Sequence, residues 1–266
     1  MKRIGIIGYG AIGSSIARRV IQGNAVRLAA VCVRGSQREM AEAECGGALV
    51  TSTVSELLAQ DLDEVVEAAG HEAIKESGAL VLGHGCDLHL LSTGALADVT
   101  LLEELRAAAA AGSARIKISA GALAGFRGLL ALRAGGLTSV RYTASKPSNA
   151  WHGTVAAAQF DLERLSEAQV IFEGNAAEAA RVFPANANLA AAVALAGVGF
   201  ERTHVTLIAD PQAKVNAGQV EAVSPYGTMT LIMKGPAFEN NPKTSQVTAL
   251  SVVAALEAGS DIMCFA

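Results

Sequence analysis

The sequence predicts an α/β protein of two domains, and three observations carry this prediction. Apolar runs of strand length alternate with segments of helical spacing from residue 2 to about residue 113. Beyond residue 115 apolar and polar residues nearly alternate, which is typical of a sheet with one polar face. The chain has 266 residues, of which 51% are hydrophobic, so it is long enough for two cores. We expect one domain over residues 1–114 and 245–266, and a second, mixed α/β (α+β) domain over residues 115–244.

The first predicted strand and helix enclose the stretch "GYGAIG", residues 8–13. Between a buried strand and a helix, the first glycine permits a tight turn, the second lets a pyrophosphate approach the backbone, and the third allows close helix packing. This order predicts a Rossmann dinucleotide-binding domain, and the alternative is a tight strand-to-helix turn without a ligand. The expected cofactor contacts are Gly8, Gly10, Ala11, Ile12 and Gly13.

The second predicted strand, residues 26–33, ends at Arg34. Enzymes that use NAD commonly carry an acidic residue here to bind the ribose 2′-hydroxyl, whereas arginine suits the 2′-phosphate of NADP. Ser36 and Arg38 follow in the same loop. We therefore expect NADP to be accepted, with NAD still possible because arginine can stack on adenine. The alternative is a solvated basic loop.

The next strand is predicted within residues 62–74 and ends at Glu67 to Gly70, before a helix. Residues 79–96 supply further strand and turn signals. Ligands of parallel sheets bind outside the carboxyl ends of the strands. The loops at residues 68–71 and 92–94 are thus expected to line the nicotinamide side. His71 lies in the first of them, as a catalytic group or as a local capping or packing residue.

The second domain is predicted to combine strands with alanine-rich helices. Its last three strands are expected to form an antiparallel meander, and its second helix to begin at an asparagine cap. The final helix, over residues 244–259, is expected to pack back on the first domain. The predicted segments are strands at 137–147 and 168–176, helices at 175–183 and 186–200, and the meander at 203–210, 218–223 and 228–235.

Composition restricts the partners and the compartment. The formal charge of −4 without a basic cluster argues against nucleic acid or an anionic membrane as partner. No apolar run reaches the roughly 18 residues expected of a membrane span, and the chain begins directly with a strand, so we expect a cytoplasmic protein. The cysteines are scattered, which predicts neither a disulfide framework nor a metal site; they are Cys32, Cys45, Cys86 and Cys264.

Several stretches in order resemble the L-aspartate dehydrogenase family from end to end. They are "GYGAIG", "SAGALAG" (119–125), "FPANANLAAAVALAG" (183–197), "DPQAKVN" (210–216) and "NPKTS" (241–245). The resemblance implies a homodimer with a Rossmann domain and a mixed substrate domain. It also implies NAD(P)-dependent oxidation of L-aspartate to iminoaspartate, which hydrolyses to oxaloacetate and ammonia or feeds nicotinamide cofactor synthesis.

The resemblance also implies individual roles in the second domain. By position, Ala122 would contact the cofactor through its backbone N–H and Asn188 through its side chain. A dicarboxylate substrate needs donors, and the residues themselves predict carboxylate recognition by Lys146, Asn186 and Lys243, unless the lysines are solvated on the surface.

One position departs from the family pattern. The family continues from its "DP" motif to N-x-H, whose histidine is the catalytic acid or base, and this chain has Asn216, Ala217 and Gly218 instead. Because glycine cannot titrate, we expect impaired chemistry. His204, on a neighbouring predicted strand, is a weak substitute candidate that could instead pair across the sheet. Two alternatives stay open, a reductase of the dihydrodipicolinate type and an NAD(P)-binding protein without turnover.

Overall fold

The computed structural model describes residues 1–123 and 125–258, which form two compact units. The first unit contains residues 1–119 together with the described chain from Ala249 onward. The second contains residues 120–248. The predicted last helix residue, Gly259, and Cys264 lie outside the described residues.

The first unit is built on a six-stranded parallel sheet whose strand order is β3-β2-β1-β4-β5-β6. The order reverses beside β1, as in doubly wound dinucleotide-binding sheets, and the predicted fold class is confirmed. The strands are β1 Lys2–Ile7, β2 Val26–Cys32, β3 Leu49–Thr51, β4 Glu64–Glu67, β5 Asp87–Leu90 and β6 Ile116–Ile118.

Five α-helices connect these strands, and local capping explains where two of them begin. The Asp98 carboxylate accepts hydrogen bonds from the N–H groups of Thr100 and Leu101, and the Thr53 hydroxyl caps a shorter helix. The helices are α1 Ala11–Gln22, α2 Arg38–Glu44, α3 Val54–Leu58, α4 His71–Gly83 and α5 Val99–Gly112.

Of the residues 79–96 with strand and turn signals, Asp87–Leu90 form β5, whereas residues 79–83 complete α4. Val81 and Leu82 are fully buried, and a short apolar run fits a buried helix face as well as a strand.

The second unit contains a five-stranded mixed sheet of order β11-β10-β7-β9-β8 and a two-stranded sheet of β12 and β13. Its strands are β7 Ser139–Lys146, β8 Gln169–Asn175, β9 Thr203–Ala209, β10 Asn216–Ser224, β11 Gly227–Gly235, β12 Ala237–Phe238 and β13 Asn241–Ser245. Its helices are α6 Phe126–Ala134, α7 Ala156–Gln159, α8 Ala176–Val182 and α9 Asn188–Ala196, and α10 Val247–Ala258 begins here and ends in the first unit.

The predicted antiparallel meander is correct only in its second half. β10 and β11 pair antiparallel, but β7 lies between β9 and β10 and runs parallel to β9. All three strands bury every second residue, and this period determines which face is buried without selecting the neighbouring strand.

Two predicted helix starts were also wrong. Asn188 is the first residue of α9 and Ala187 precedes it, so Asn186 does not cap the helix. Residues 241–245 form β13 through pairing with β12, and α10 starts only at Val247. The N–H groups of Asn186 and Ala187 instead donate to the Phe183 carbonyl oxygen in a turn before α9.

The five-stranded sheet has one buried face and one half-exposed face. Val140, Tyr142 and Val205 lie on the buried face, which α6 and α9 contact. Within residues 1–123 and 125–258, no helix is both long and apolar enough to cross a membrane. The same residues contain no group of three or more His, Cys, Asp or Glu side chains that could hold a metal ion.

Candidate active site

The turn between β1 and α1 contains three glycines that meet three different geometric demands. Gly8 has a φ of +94°, and a Cβ there would lie 2.8 Å from the Ala68 carbonyl oxygen. A Cβ on Gly13 would lie 2.1 Å from the Gly8 carbonyl oxygen, so α1 packs this closely only without a side chain. At Gly10 the nearest atom to a built Cβ is Gln37 Nε2 at 3.9 Å. The fold alone therefore does not require glycine at position 10.

The start of α1 suits an anionic ligand. The helix begins at Ala11, no side chain caps it, and its first turn holds no acidic residue. The N–H groups of Ala11, Ile12 and Gly13 belong to this first turn, where the helix dipole favours negative charge. The open space beside Gly10 and this uncapped helix end together fit a dinucleotide pyrophosphate.

Arg34 follows β2 and precedes a 3-10 turn at Gly35–Gln37. Arg38 is paired with Glu42 at 2.7 Å. Arg34 is exposed, and no ion pair involves it within the part of the chain that the structure describes. Of the two predicted basic residues, Arg34 is thus the one whose guanidinium can turn to a 2′-phosphate.

Replacing Arg34 by alanine is expected to weaken NADP(H) binding about 10- to 100-fold and NAD(H) binding much less. The reason is that a charge-assisted hydrogen bond to the phosphate contributes about 1.5–3 kcal/mol. Fluorescence titration of both reduced cofactors measures the effect, with Arg38→Ala as the matched control. Equal losses for both cofactors would mean that Arg34 does not distinguish the phosphate.

Glu67 joins the two loops that were predicted to line the nicotinamide side. It is fully buried at the end of β4. Its Oε1 accepts hydrogen bonds from the N–H groups of Ala69 at 2.8 Å and Gly70 at 2.7 Å and from the Ser92 hydroxyl at 2.9 Å. Its Oε2 accepts one from the Ser92 N–H at 2.9 Å. This carboxylate therefore fixes the loop after β4 to the loop after β5.

Glu67→Gln is expected to lower the free energy of unfolding by about 1.5–3 kcal/mol, because the amide nitrogen would face N–H donors where an ionised acceptor stood. Cofactor affinity should fall with it, since both loops lose their common anchor. Denaturant unfolding and cofactor titration measure the two effects. Glu76→Gln, at an exposed position of α4, is the control and should change stability by less than about 0.5 kcal/mol. If Glu67→Gln changed the free energy of unfolding as little as Glu76→Gln does, this role would be refuted.

In the second unit, a buried cluster surrounds Lys146 at the end of β7. Lys146 is only 8% exposed. Its Nζ donates to Asn186 Oδ1 at 3.1 Å and to the Lys243 main-chain carbonyl at 2.9 Å, and lies 5.2 Å from the centre of the Trp151 ring. Burial, and then the positive charge of Lys243, lower the pKa of Lys146 to about 8. The predicted substrate residues Lys146, Asn186 and Lys243 are therefore brought together.

Polar atoms around this cluster are buried without a partner in the described residues. They are Asn186 Nδ2, Asn216 Oδ1 and Ser148 Oγ. Because Ala217 pairs with Ser145, Asn216 lies at the same end of the sheet as Lys146 and on the same buried face. Buried donors and acceptors without partners are costly, so they mark the place where a polar ligand would bind.

The predicted cofactor residues of the second unit also lie close together. Ala122 belongs to the loop before α6, and Asn188 is the first residue of α9. A Cβ on Gly121, whose φ is +60°, would lie 2.5 Å from Leu189 Cδ2, so the loop packs directly on the start of α9.

Gly218 lies inside β10 on the buried face, opposite Ala144 of β7. Its φ is not positive, so the backbone does not demand glycine. A Cβ there would lie 3.3 Å from Leu123 Cδ2 and 3.5 Å from the Tyr142 hydroxyl oxygen. Burial raises the pKa of Tyr142, so this phenol stays neutral. Position 218 can therefore accept a Cβ after a small shift of the Leu123 methyl group.

His204 does not share this location. It pairs in register with Arg141, while Gly218 is in register with Ala144, so the two positions lie on opposite faces of the sheet. Its Nε2 lies 3.1 Å from a Glu173 carboxylate oxygen. The geometry matches the alternative expectation of a histidine paired across the sheet.

Sequence reasoning did not single out Glu67 or Tyr142 as part of a site. The sequence did hold a signal for Glu67, which is the last residue of the strand "EVVE". A strand that continues through this glutamate buries its carboxylate, and a buried carboxylate needs hydrogen-bond partners. Tyr142 carried no such signal, since its contact with position 218 depends on the pairing of β7 with β10.

A doubly wound sheet with a glycine turn after its first strand, and a second unit with buried basic and amide groups, define a dinucleotide-dependent dehydrogenase. The chain matches the family description "Homoserine dehydrogenase, NAD binding domain" over residues 8–119 and "Aspartate dehydrogenase, C-terminal" over residues 128–259.

Relatives that match nearly the whole chain agree with this assignment. An L-aspartate dehydrogenase of Pseudomonas aeruginosa is 43% identical over 96% of this chain and 97% of its own length, and one of Ralstonia pickettii is 42% identical with the same coverage. The crystal structure of aspartate dehydrogenase from Thermotoga maritima superposes with a TM-score of 0.78 at 26% identity and covers all of both chains. The chain belongs to the aspartate dehydrogenase family.

Proposed function

We propose that this chain oxidises L-aspartate to iminoaspartate with NAD(P), at a rate limited by the glycine at position 218. The observation that carries the substrate assignment is the set of buried polar atoms without partners around Lys146 in the second unit. A dicarboxylate amino acid offers the complementary groups, and the relatives named above are L-aspartate dehydrogenases.

Different side chains of the cluster can bind the carboxylate and the ammonium group of the substrate. Lys243 supplies positive charge for a carboxylate, and Lys146 Nζ and Asn186 Nδ2 add directed donors. Asn216 Oδ1 is an acceptor, and so it suits the substrate ammonium rather than a carboxylate.

The dinucleotide is proposed to bind the first unit through the glycine turn, with Arg34 at the adenosine ribose. Ala122 and Asn188 are proposed as further cofactor contacts, as the family resemblance implies. When bound, the nicotinamide ring accepts the hydride that leaves the substrate Cα. The protein itself has to bind and orient the substrate and to move protons.

Two further proposals concern the setting of this activity. We propose a cytoplasmic homodimer, with residues 1–114 and 245–266 binding the cofactor and residues 115–244 binding the substrate and forming the dimer. Three cysteines in the described chain are free thiols, which fits a reducing compartment. Iminoaspartate could then enter nicotinamide cofactor synthesis or hydrolyse to oxaloacetate and ammonia.

Gly218 favours a second candidate, a protein that binds NAD(P) and turns nothing over. Steady-state assays with L-aspartate and either cofactor, combined with cofactor titration, separate the two. Slow turnover of L-aspartate supports the dehydrogenase. Cofactor binding without turnover, in the wild type and in Gly218→His alike, would leave only the binding protein.

A further inference from the structure

The absence of a titratable group at position 218 leaves the proton of the substrate ammonium without its usual acceptor. We propose that Lys146 accepts this proton in the present chain, an inference that rests on the proposed function. Lys146 would then be a catalytic residue in addition to a binding one.

The hydrogen bonds of Lys146 suit a neutral amine. Its Nζ donates to two carbonyl oxygens, of the Asn186 side chain and the Lys243 main chain. An ammonium has three N–H donors, whereas an amine has two and a lone pair. Losing one proton therefore breaks neither hydrogen bond, and the lone pair takes the third position around Nζ.

The location of Lys146 fits this role. Ala144 lies opposite Gly218, and Lys146 is two residues further along β7 on the same buried face. The unpartnered Asn186 Nδ2 and Asn216 Oδ1 belong to the same end of the sheet, where the substrate is proposed to bind.

The charges around Lys146 disfavour its ammonium form. Lys243 on β13 repels it, and no carboxylate forms an ion pair with Lys146 within the described ranges. Asp210, after β9, accepts a hydrogen bond from the Gln212 N–H, and Tyr142 on the same face is neutral.

The Trp151 ring and the two carbonyl oxygens that accept hydrogen bonds from Nζ favour the charged form of Lys146, and burial outweighs them, since the pKa falls to about 8. His152, next to this ring, is exposed. The neutral amine is thus well populated slightly above neutral pH, where an unperturbed lysine would be almost fully charged.

The proposed step moves one proton to Lys146 and one hydride away from the substrate. An N–H bond of the substrate ammonium breaks, its proton forms a new N–H bond on Lys146 Nζ, and the substrate becomes a neutral amine. The hydride then leaves Cα with its bonding pair for NAD(P), and the amine lone pair forms the C=N bond of the iminium. Lys146 returns its proton to solvent before the next turnover.

The first test titrates Lys146 in the wild-type protein without cofactor. The protein carries ¹³C-labelled lysine, and the Lys146 signal is assigned by its absence from Lys146→Arg or, if that variant does not fold, from Lys146→Met. A titration midpoint near pH 8 supports the proposal. A midpoint at or above pH 10 overturns it, because too little amine would then exist at working pH.

The second test measures L-aspartate oxidation by Lys146→Arg, which keeps hydrogen-bond donors at this position but cannot lose a proton. We expect kcat to fall about 10²- to 10⁴-fold with KM for L-aspartate nearly unchanged. In the wild type, kcat should rise with pH through about 8. Lys234→Arg, at an exposed position of β11, is the control and should behave as wild type. A raised KM with unchanged kcat would restrict Lys146 to substrate binding and overturn the proposal.

Gly218→His separates this inference from the proposed function. If Gly218→His oxidises L-aspartate and the wild type does not, the function assigned to the scaffold stands and Lys146 is not its base. If neither protein oxidises L-aspartate, the proposed function itself has failed.

Discussion

Replacing Gly218 by histidine is expected to raise kcat for L-aspartate oxidation by about 10² to 10⁴, the usual contribution of a positioned acid or base. The imidazole would stand beside the neutral Tyr142 phenol on the buried face of β10. An unperturbed histidine has a pKa of about 6.5, so it can accept the substrate proton and later assist attack of water on the iminium.

The structure leaves room for the Cβ of this variant. The backbone of Gly218 has no positive φ, and the closest contact of an added Cβ is a movable Leu123 methyl carbon at 3.3 Å. Gly218→Ala is the matched control, because it introduces the same Cβ without a titratable group and should not raise kcat. Cofactor affinity should stay unchanged in both variants.

The pH profile provides an independent check of Gly218→His. Its kcat should depend on a group titrating near pH 6.5 rather than near 8, and free imidazole should partly rescue the wild type. If Gly218→His left turnover unchanged while His204→Ala removed it, the catalytic role would belong to His204.

Gly10→Val is expected to abolish NAD(P) binding while leaving the protein folded. A branched side chain at this position would occupy the space where the pyrophosphate approaches the start of α1. In the protein itself the nearest atom to a Cβ is 3.9 Å away, so the Cβ of the new side chain meets no steric obstacle within the fold. Cofactor fluorescence titration and thermal unfolding measure the two properties separately.

Gly13→Ala is the contrasting control for this turn. Its Cβ would meet the Gly8 carbonyl oxygen at 2.1 Å, so we expect a loss of stability of about 1–3 kcal/mol or more. Retained cofactor affinity in Gly10→Val would show that the turn is not the phosphate site. Unfolding of Gly10→Val would mean that position 10 serves the fold.

The sequence by itself determined the first half of this protein well. Its parallel sheet follows from apolar strands that alternate with helices, and the three glycine positions follow from a turn whose geometry is local. The need for donors to a dicarboxylate also selected residues that the fold brings together, such as Lys146 and Asn186.

Only the tertiary structure decided how the second sheet is ordered and what surrounds its polar residues. A period of two determines which face of β9 is buried, but the insertion of β7 between β9 and β10 depends on pairing between distant segments. The partners of Lys146 lie 40 and 97 residues away in sequence. Its burial and lowered pKa arise from those distant groups, because desolvation and charge repulsion depend on distance in space rather than along the chain.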